Sequence, residues 1–237
     1  MTDVVLAAHA WPNNAALIAD VAKLYIGPDD VVLDPTYGRG NWWKTFRPAR
    51  LITHDIRQDD VDFRALPEGD ATIDVVAFDP PYIAPGGRST SSIADFNDRF
   101  GLHETPRTPD ALADMIATGI KEAARVLRMR GHLLVKCKDY VWSGKFFAGT
   151  HFVTCAALDC GLELVDRFEH IGRPGPQPPR DRQVHARRNL STLLVFQRVP
   201  AARRRRVQSA SRDELFTDAD LDVALAPMFA YHHDQEQ

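Results

Sequence analysis

A chain of 237 residues with 44% hydrophobic and 26% charged content is ordinary for a globular protein and long enough for one substantial core. Its formal net charge of −3 hides an uneven distribution, with basic residues crowded into 173–188 and 203–206 and an acidic stretch after them, so an anionic partner is not excluded. Cys137, Cys155 and Cys160 are odd in number and lack CxxC spacing, which argues against a disulfide framework or a zinc knuckle; no apolar run reaches membrane-spanning length and the first residues lack a basic region followed by a long apolar stretch, so the expected setting is cytoplasmic, with no membrane partner.

In chain order, "AALIADVAKLY" (15–25) has helical spacing with Asn13 or Asn14 as its cap, and "DVVLDP" (30–35) reads as a buried strand. Strands are expected at 51–55 and 73–78, with "VDF" (61–63) as the stub of another. Residues 108–127 form the clearest helix, capped by Thr108, opened by Pro109 and apolar along Leu112, Ile116, Ile120, Ala124 and Leu127. A strand at 132–137, a helix near 146–159 and strands at 162–171 and 189–199 complete the pattern. Alternating strands and helices predict an α/β fold: an open, mostly parallel Rossmann-like sheet with helices on both faces. The last two strands are consecutive and are expected to pair as an antiparallel edge. Residues 1–199 read as one domain and 200–237 as a charged appendage.

The run Ile73 to Phe78 is brief, rich in β-branched residues and stops at "DPPY" (79–82). Proline fixes its own φ and holds the preceding residue extended, so Pro80 and Pro81 stiffen the strand tip without offering an N–H. A carboxylate at Asp79, a free carbonyl at Pro80 and the ring of Tyr82 remain. Upstream, "DPTYGRG" (34–40) follows the first strand, and Gly38 and Gly40 allow a tight turn and close backbone approach to a ligand. Asp55 ends the next strand, where a carboxylate can accept from both hydroxyls of a ribose, and Asp62 with Phe63 offers an acceptor beside an apolar plate, suited to an adenine edge and face. Neither the GK[ST] ending nor a full GxGxxG is present, so a nucleoside without a phosphate tail fits best.

Together, "DPTYGRG", Asp55, Asp62 and "DPPY" resemble the S-adenosylmethionine-dependent DNA amino-methyltransferases, and "HARRNLSTLLVF" is similar to the closing segment of small bacterial and phage DNA methylases. The resemblance spans about residues 9 to 199 and implies a class I methyltransferase fold. It implies S-adenosyl-L-methionine as cofactor, held by Asp34, Pro35, Thr36, Tyr37, Gly38, Gly40, Asp55, Asp62 and Phe63. It also implies Asp79, Pro80, Pro81 and Tyr82 as catalytic residues acting on the exocyclic amine of adenine or cytosine in DNA, with no metal. Thr36 stands where the family usually has phenylalanine. An RNA base amino-methyltransferase is the alternative, and a non-catalytic binding module a third.

Target reading is expected from the long connection 83–107 and from 173–189, where Arg173, Arg180, Arg182, Arg187 and Arg188 are candidate phosphate contacts. Lys136, Lys138 and Asp139 end a strand at the same edge and are as consistent with solvation as with substrate contact. Trp42 and Trp43 are expected to pack, and His185 is as readily structural as functional.

Overall fold

The computed structural model describes residues 4–84, 106–172, 183–186 and 188–200. The chain divides into two units, Met1–Arg198 and Val199–Gln237; of the second, only Val199 and Pro200 are among the described residues. In chain order the first unit carries β1 (Ala8–His9), α1 (Asn14–Tyr25), β2 (Val31–Asp34), a 3₁₀ turn (Asn41–Trp43), β3 (Arg50–Thr53) and β4 (Ile73–Phe78). These are followed by α2 (Pro109–Val126), β5 (Leu127–Cys137), β6 (Tyr140–Trp142), β7 (Lys145–Phe147), α3 (Gly149–Asp159), β8 (Leu162–Ile171) and β9 (Leu190–Arg198).

Local chemistry sets the helix starts. The Asn13 side chain accepts from the Ala16 amide at 3.0 Å, which makes Asn13 rather than Asn14 the cap of α1. Thr108 accepts from the Ala111 amide at 3.3 Å, and Pro109 takes the first position of α2, where its missing N–H costs nothing. Asp62 departs from expectation. Its carboxylate accepts from the Arg64 amide at 2.8 Å, and such a side-chain bond to nearby backbone favours a turn, so 61–63 is loop and not a strand stub. Past β5, Ser143 and Gly144 adopt φ of +48° and +78°, the paired left-handed geometry of a two-residue hairpin turn. The chain therefore forms the hairpin β6–β7 where the start of a helix was expected, and α3 begins only at Gly149.

Seven strands form one sheet in the order β1-β8-β9-β5-β4-β2-β3. β3, β2, β4 and β5 are parallel, β1 is parallel to β8, and β9 is antiparallel to both β5 and β8. The final two strands pair antiparallel as expected, but β9 is not an edge: it lies between β5 and β8. Leu193 to Phe196 are wholly buried on both faces, which requires a neighbour on each side, whereas β8 alternates with exposed positions and sits next to the rim.

Side-chain alternation divides the core into two layers. Leu33, Val76, Phe78, Leu133, Val135, Leu194 and Phe196 face α2 and α3, packing on Leu112, Ile116, Ile120, Val153 and Ala157. Val32, Val75, Ala77, Leu134, Leu193 and Val195 face α1, packing on Leu17, Ile18 and Val21 with Trp42 and Trp43. Helices thus cover both faces, and the fold is Rossmann-like. Among the described residues no helix is long and apolar enough to cross a membrane.

Candidate active site

Because β2, β3, β4 and β5 run parallel, Asp34, Asp55, Asp79 and Lys138 all emerge at one edge of the sheet. β3 lies on one side of β2 and β4 on the other, so the chain parts there and leaves the crevice in which open α/β sheets bind ligands.

At the bottom of this crevice a buried carboxylate, Asp34, and a half-buried one, Asp79, are tied together by residues of the glycine turn. Asp34, 4% exposed, accepts from the Thr36 amide (2.9 Å), the Thr36 hydroxyl (3.3 Å) and the Trp43 indole (2.7 Å). The Thr36 oxygen in turn accepts from the Asp79 amide at 2.9 Å, linking the tips of β2 and β4. Asp79 Oδ2 accepts from the Trp42 indole at 2.8 Å, while its Oδ1 is buried and has no partner among the described residues. Lys136, only 1% exposed, donates to Asn14 Oδ1 at 3.2 Å on the α1 side of β5.

Burial dominates the electrostatics here. It pushes Asp34 up to about 7, against the hydrogen bonds from Trp43 and Thr36 that favour the anion. It pushes Asp79 up to about 6, against the Lys136 charge and the Trp42 hydrogen bond. It pulls Lys136 down to about 8, against the attraction of Asp79. Asp79 and Lys136 thus each hold the other in its charged form.

The glycine turn is built for close approach. Gly38 and Gly40 have φ of +53° and +63°, and a Cβ on Gly40 would lie 2.6 Å from the Tyr37 hydroxyl oxygen. Pro35 is buried; Tyr37 is half-buried, and its hydroxyl accepts from Arg47 Nη1 at 3.3 Å. Asp55 fastens the turn: Oδ2 accepts from the Gly38 amide at 2.9 Å and Oδ1 from the Arg57 amide at 3.0 Å. A carboxylate has about four acceptor sites, so Asp55 retains capacity for a ligand hydroxyl. Beside it, His54 is bridged by Asp59 (2.7 Å) and Glu68 (2.8 Å); burial pulls its pKa down, but the two carboxylates outweigh burial and the net shift is upward. Asp62 is forked with the Arg64 guanidinium, with Nε at 2.9 Å from Oδ2, and the Phe63 ring lies edge-on to Phe78 at 5.1 Å.

On the substrate side Pro80 is buried, Pro81 and Tyr82 are half-buried, and burial pushes the Tyr82 phenol well above its ordinary value. Tyr82 borders a small enclosed space with Lys138, Phe147 and Phe152. Asp139 accepts from the Thr150 amide at 2.9 Å and so serves the start of α3. Arg188 is exposed, with its guanidinium 4.5 Å from the Phe146 ring centroid, and His185 Nε2 donates to the Gly144 carbonyl at 2.8 Å. Arg173, Arg180, Arg182 and Arg187, and residues 85–105 of the long connection, lie outside the described residues.

Sequence reasoning missed the roles of Trp42 and Trp43, named Thr36 only as a cofactor contact and left Lys136 between solvation and substrate contact. Trp42 and Trp43, assigned to packing, donate to Asp79 and Asp34 respectively; the available signal was that a buried indole N–H needs an acceptor. Thr36 supplies a bridging hydroxyl. Lys136 is an inward-facing cation in the apolar run "HLLVKC", a pattern that a solvated strand end does not require.

No protein-family model and no curated protein matches the chain. Among solved structures, a candidate DNA modification methylase of Thermus thermophilus is 16% identical over 60% of this chain and 52% of its own, with a TM-score of 0.40. The same protein in complex with S-adenosyl-L-methionine is 18% identical over 59% of this chain and 54% of its own, with a TM-score of 0.39. A candidate methyltransferase of Haloferax volcanii, solved with the Trm112 methyltransferase activator, is 13% identical over 79% and 90% of the two chains, with a TM-score of 0.43. The chain therefore spans about half the length of the methylase structures it matches. With these TM-scores below 0.5, the fold assignment rests on the strand order and register of the chain itself.

Proposed function

We propose that the chain is an S-adenosyl-L-methionine-dependent methyltransferase acting on the exocyclic amine of a base in DNA, adenine N6 foremost. The observation that carries this reading is Asp79: a carboxylate at the tip of β4, one oxygen held by Trp42 and the other buried and without a partner among the described residues, followed by a proline whose carbonyl is a second acceptor. Two acceptors side by side suit the two N–H bonds of an aromatic amine.

The residues of the crevice fit the cofactor. The left-handed turn at Gly38 and Gly40 lets backbone approach a ligand without side-chain obstruction, Asp55 has acceptor capacity left for ribose hydroxyls, and Phe63 supplies an apolar face. When bound, S-adenosyl-L-methionine supplies a methyl group already activated by its sulfonium. The work left to the protein is orientation. An exocyclic amine is a weak nucleophile because its lone pair is delocalised into the ring. Asp79 Oδ1 and the Pro80 carbonyl each accept one N–H, which favours a pyramidal nitrogen with its lone pair directed at the methyl. Holding nitrogen, carbon and sulfur in line contributes about 7 kcal/mol or more. Asp79 would take up the amine proton that methyl transfer releases and pass it to water. Tyr82 stacks on the base, offsetting part of the few kcal/mol needed to swing it out of a duplex.

Incubation with methyl-labelled cofactor and duplex DNA or RNA, followed by digestion to nucleosides, tests the reading. Label in N6-methyladenine from DNA is expected; label confined to RNA overturns the choice of DNA, and no label in either overturns the activity. Asp79→Ala should abolish transfer while preserving cofactor binding by calorimetry, whereas Asp55→Ala should weaken cofactor binding directly. Equal loss of cofactor binding in both variants would show that Asp79 does not act on the amine.

A further inference from the structure

The β6–β7 hairpin takes no part in the chemistry above, yet it stands at the same sheet edge. It leaves β5 directly after Lys138 and Asp139 and returns into α3. Its inward ring, Phe147, lies 5.2 Å from Tyr140 and 6.4 Å from Phe152 and borders the same enclosed space as Tyr82. Its other face is turned out: Val141 and Phe146, directly paired across the hairpin, are 38% and 47% exposed; Lys145, paired with Trp142 beside the turn and on the Phe147 face, is exposed as well. The tip is fastened to the returning chain by the His185 bond to Gly144, and Arg188 lays its guanidinium over Phe146 while donating to the Ala186 carbonyl at 3.1 Å.

Among the described residues of the hairpin, its connection and Arg188, cations outnumber acids. Lys138, Lys145 and Arg188 are cationic, and Asp139, the acid within the hairpin's own connection, is turned to the Thr150 amide. An exposed aromatic ring, a guanidinium stacked on it and a nearby ammonium are the groups that together recognise stacked bases joined by phosphates. An apolar protein partner would bury Phe146 and Val141 but leave the cations to be desolvated without counter-charge.

We propose that the ledge formed by β6–β7 with His185 and Arg188 contacts the DNA strand that carries the target base. Lys145 and Arg188 meet its phosphates, and a base next to the target stacks on the Phe146–Arg188 pair. The proposal rests on the nucleic-acid reading of the site and adds to it the β6–β7 hairpin, which lies outside the loops 83–107 and 173–189 and to which His185 and Arg188 of the second loop are joined.

The test uses the full-length protein with cofactor and a short fluorescein-labelled duplex, titrated by anisotropy at several salt concentrations, with 2-aminopurine beside the target base as a stacking reporter. Phe146→Ala should weaken binding about tenfold and abolish the 2-aminopurine quench, and Phe146→Trp should restore both. Lys145→Ala should flatten the slope of log K against log salt by about 0.9. All three variants should bind cofactor as wild type does, since none touches the glycine turn. Wild-type affinity for DNA with variants unchanged in affinity, quench and slope overturns the ledge alone. Wild-type protein that binds cofactor but neither DNA nor RNA overturns the ledge together with the nucleic-acid reading, and variant effects confined to the matching RNA overturn the commitment to DNA.

Discussion

Trp42 holds one oxygen of Asp79 and leaves the other without a partner among the described residues, and the Lys136 charge favours the anion. Burial alone would drive the carboxylate toward its neutral form, in which it becomes a donor and no longer suits an amine N–H. With Asp79 at about 6, methyl transfer should fall as pH drops through that value, because a proton on Oδ1 puts a donor where the amine N–H is to be received and removes the group that takes the departing proton. Removing either stabiliser of the anion raises the folded pKa further, so the acidic limb should move to higher pH. Trp42→Phe keeps most of the volume and deletes one hydrogen bond to a charged group, worth about 1.5–3 kcal/mol and hence a shift of about one to two pH units. Lys136→Met deletes the charge and should shift the limb in the same direction. The measurement is kcat/KM for DNA against pH, which reports groups of the enzyme before DNA binds. A limb that stays near 6 in both variants would mean that Trp42 and Lys136 merely fill space.

At the scale of elements, the cofactor crevice depends on how closely α2 approaches β4. Gly119 of α2 faces Phe63 and Phe78, and a Cβ there would lie 2.7 Å from each ring. Alanine would gain about 1 kcal/mol of helix propensity over glycine. Overpacking a dense core costs about 1–3 kcal/mol, and the two rings cannot both yield because Phe78 is 1% exposed within the β4 layer. The clash should win. Gly119→Ala is expected to lower stability by up to about 2 kcal/mol and, by displacing the less buried Phe63, to weaken cofactor binding. Urea unfolding and calorimetry read the two effects separately. An unchanged unfolding midpoint with unchanged affinity would show that Phe63 lies off the cofactor path.

For the molecule as a whole, a ligand spanning the tips of β2, β3 and β4 joins strands that contact one another only side by side, and it should stabilise the native state by mass action. At a cofactor concentration 100 times its Kd the gain is about 2.7 kcal/mol. For a chain of this size each kcal/mol moves Tm by about 2–4 °C, so S-adenosyl-L-methionine should raise Tm by about 5–11 °C. The turn has no lysine placed for a phosphate tail, and ATP should give no comparable shift. A thermal-shift titration with both ligands is decisive: equal shifts would reassign the crevice to nucleotides.

The sequence by itself determined what is settled within a few residues. Thr108 and Pro109 start α2, Asn13 caps α1, and Pro80 and Pro81 end the run that forms β4, because capping, ring closure and missing N–H groups act locally. Strand alternation also foretold that both sheet faces are covered. Only the tertiary structure decided that β9 is inserted between β5 and β8, since a fully buried strand reports that it has neighbours and not which ones. The hairpin escaped notice because its turn rests on left-handed φ at Ser143 as well as Gly144, and serine there carries little signal. The same limit hid the carboxylate network. Trp42 reaches Asp79 across 37 residues and Lys136 reaches Asn14 across 122, and nothing in a local pattern names the acceptor that a buried donor will find once the sheet has closed.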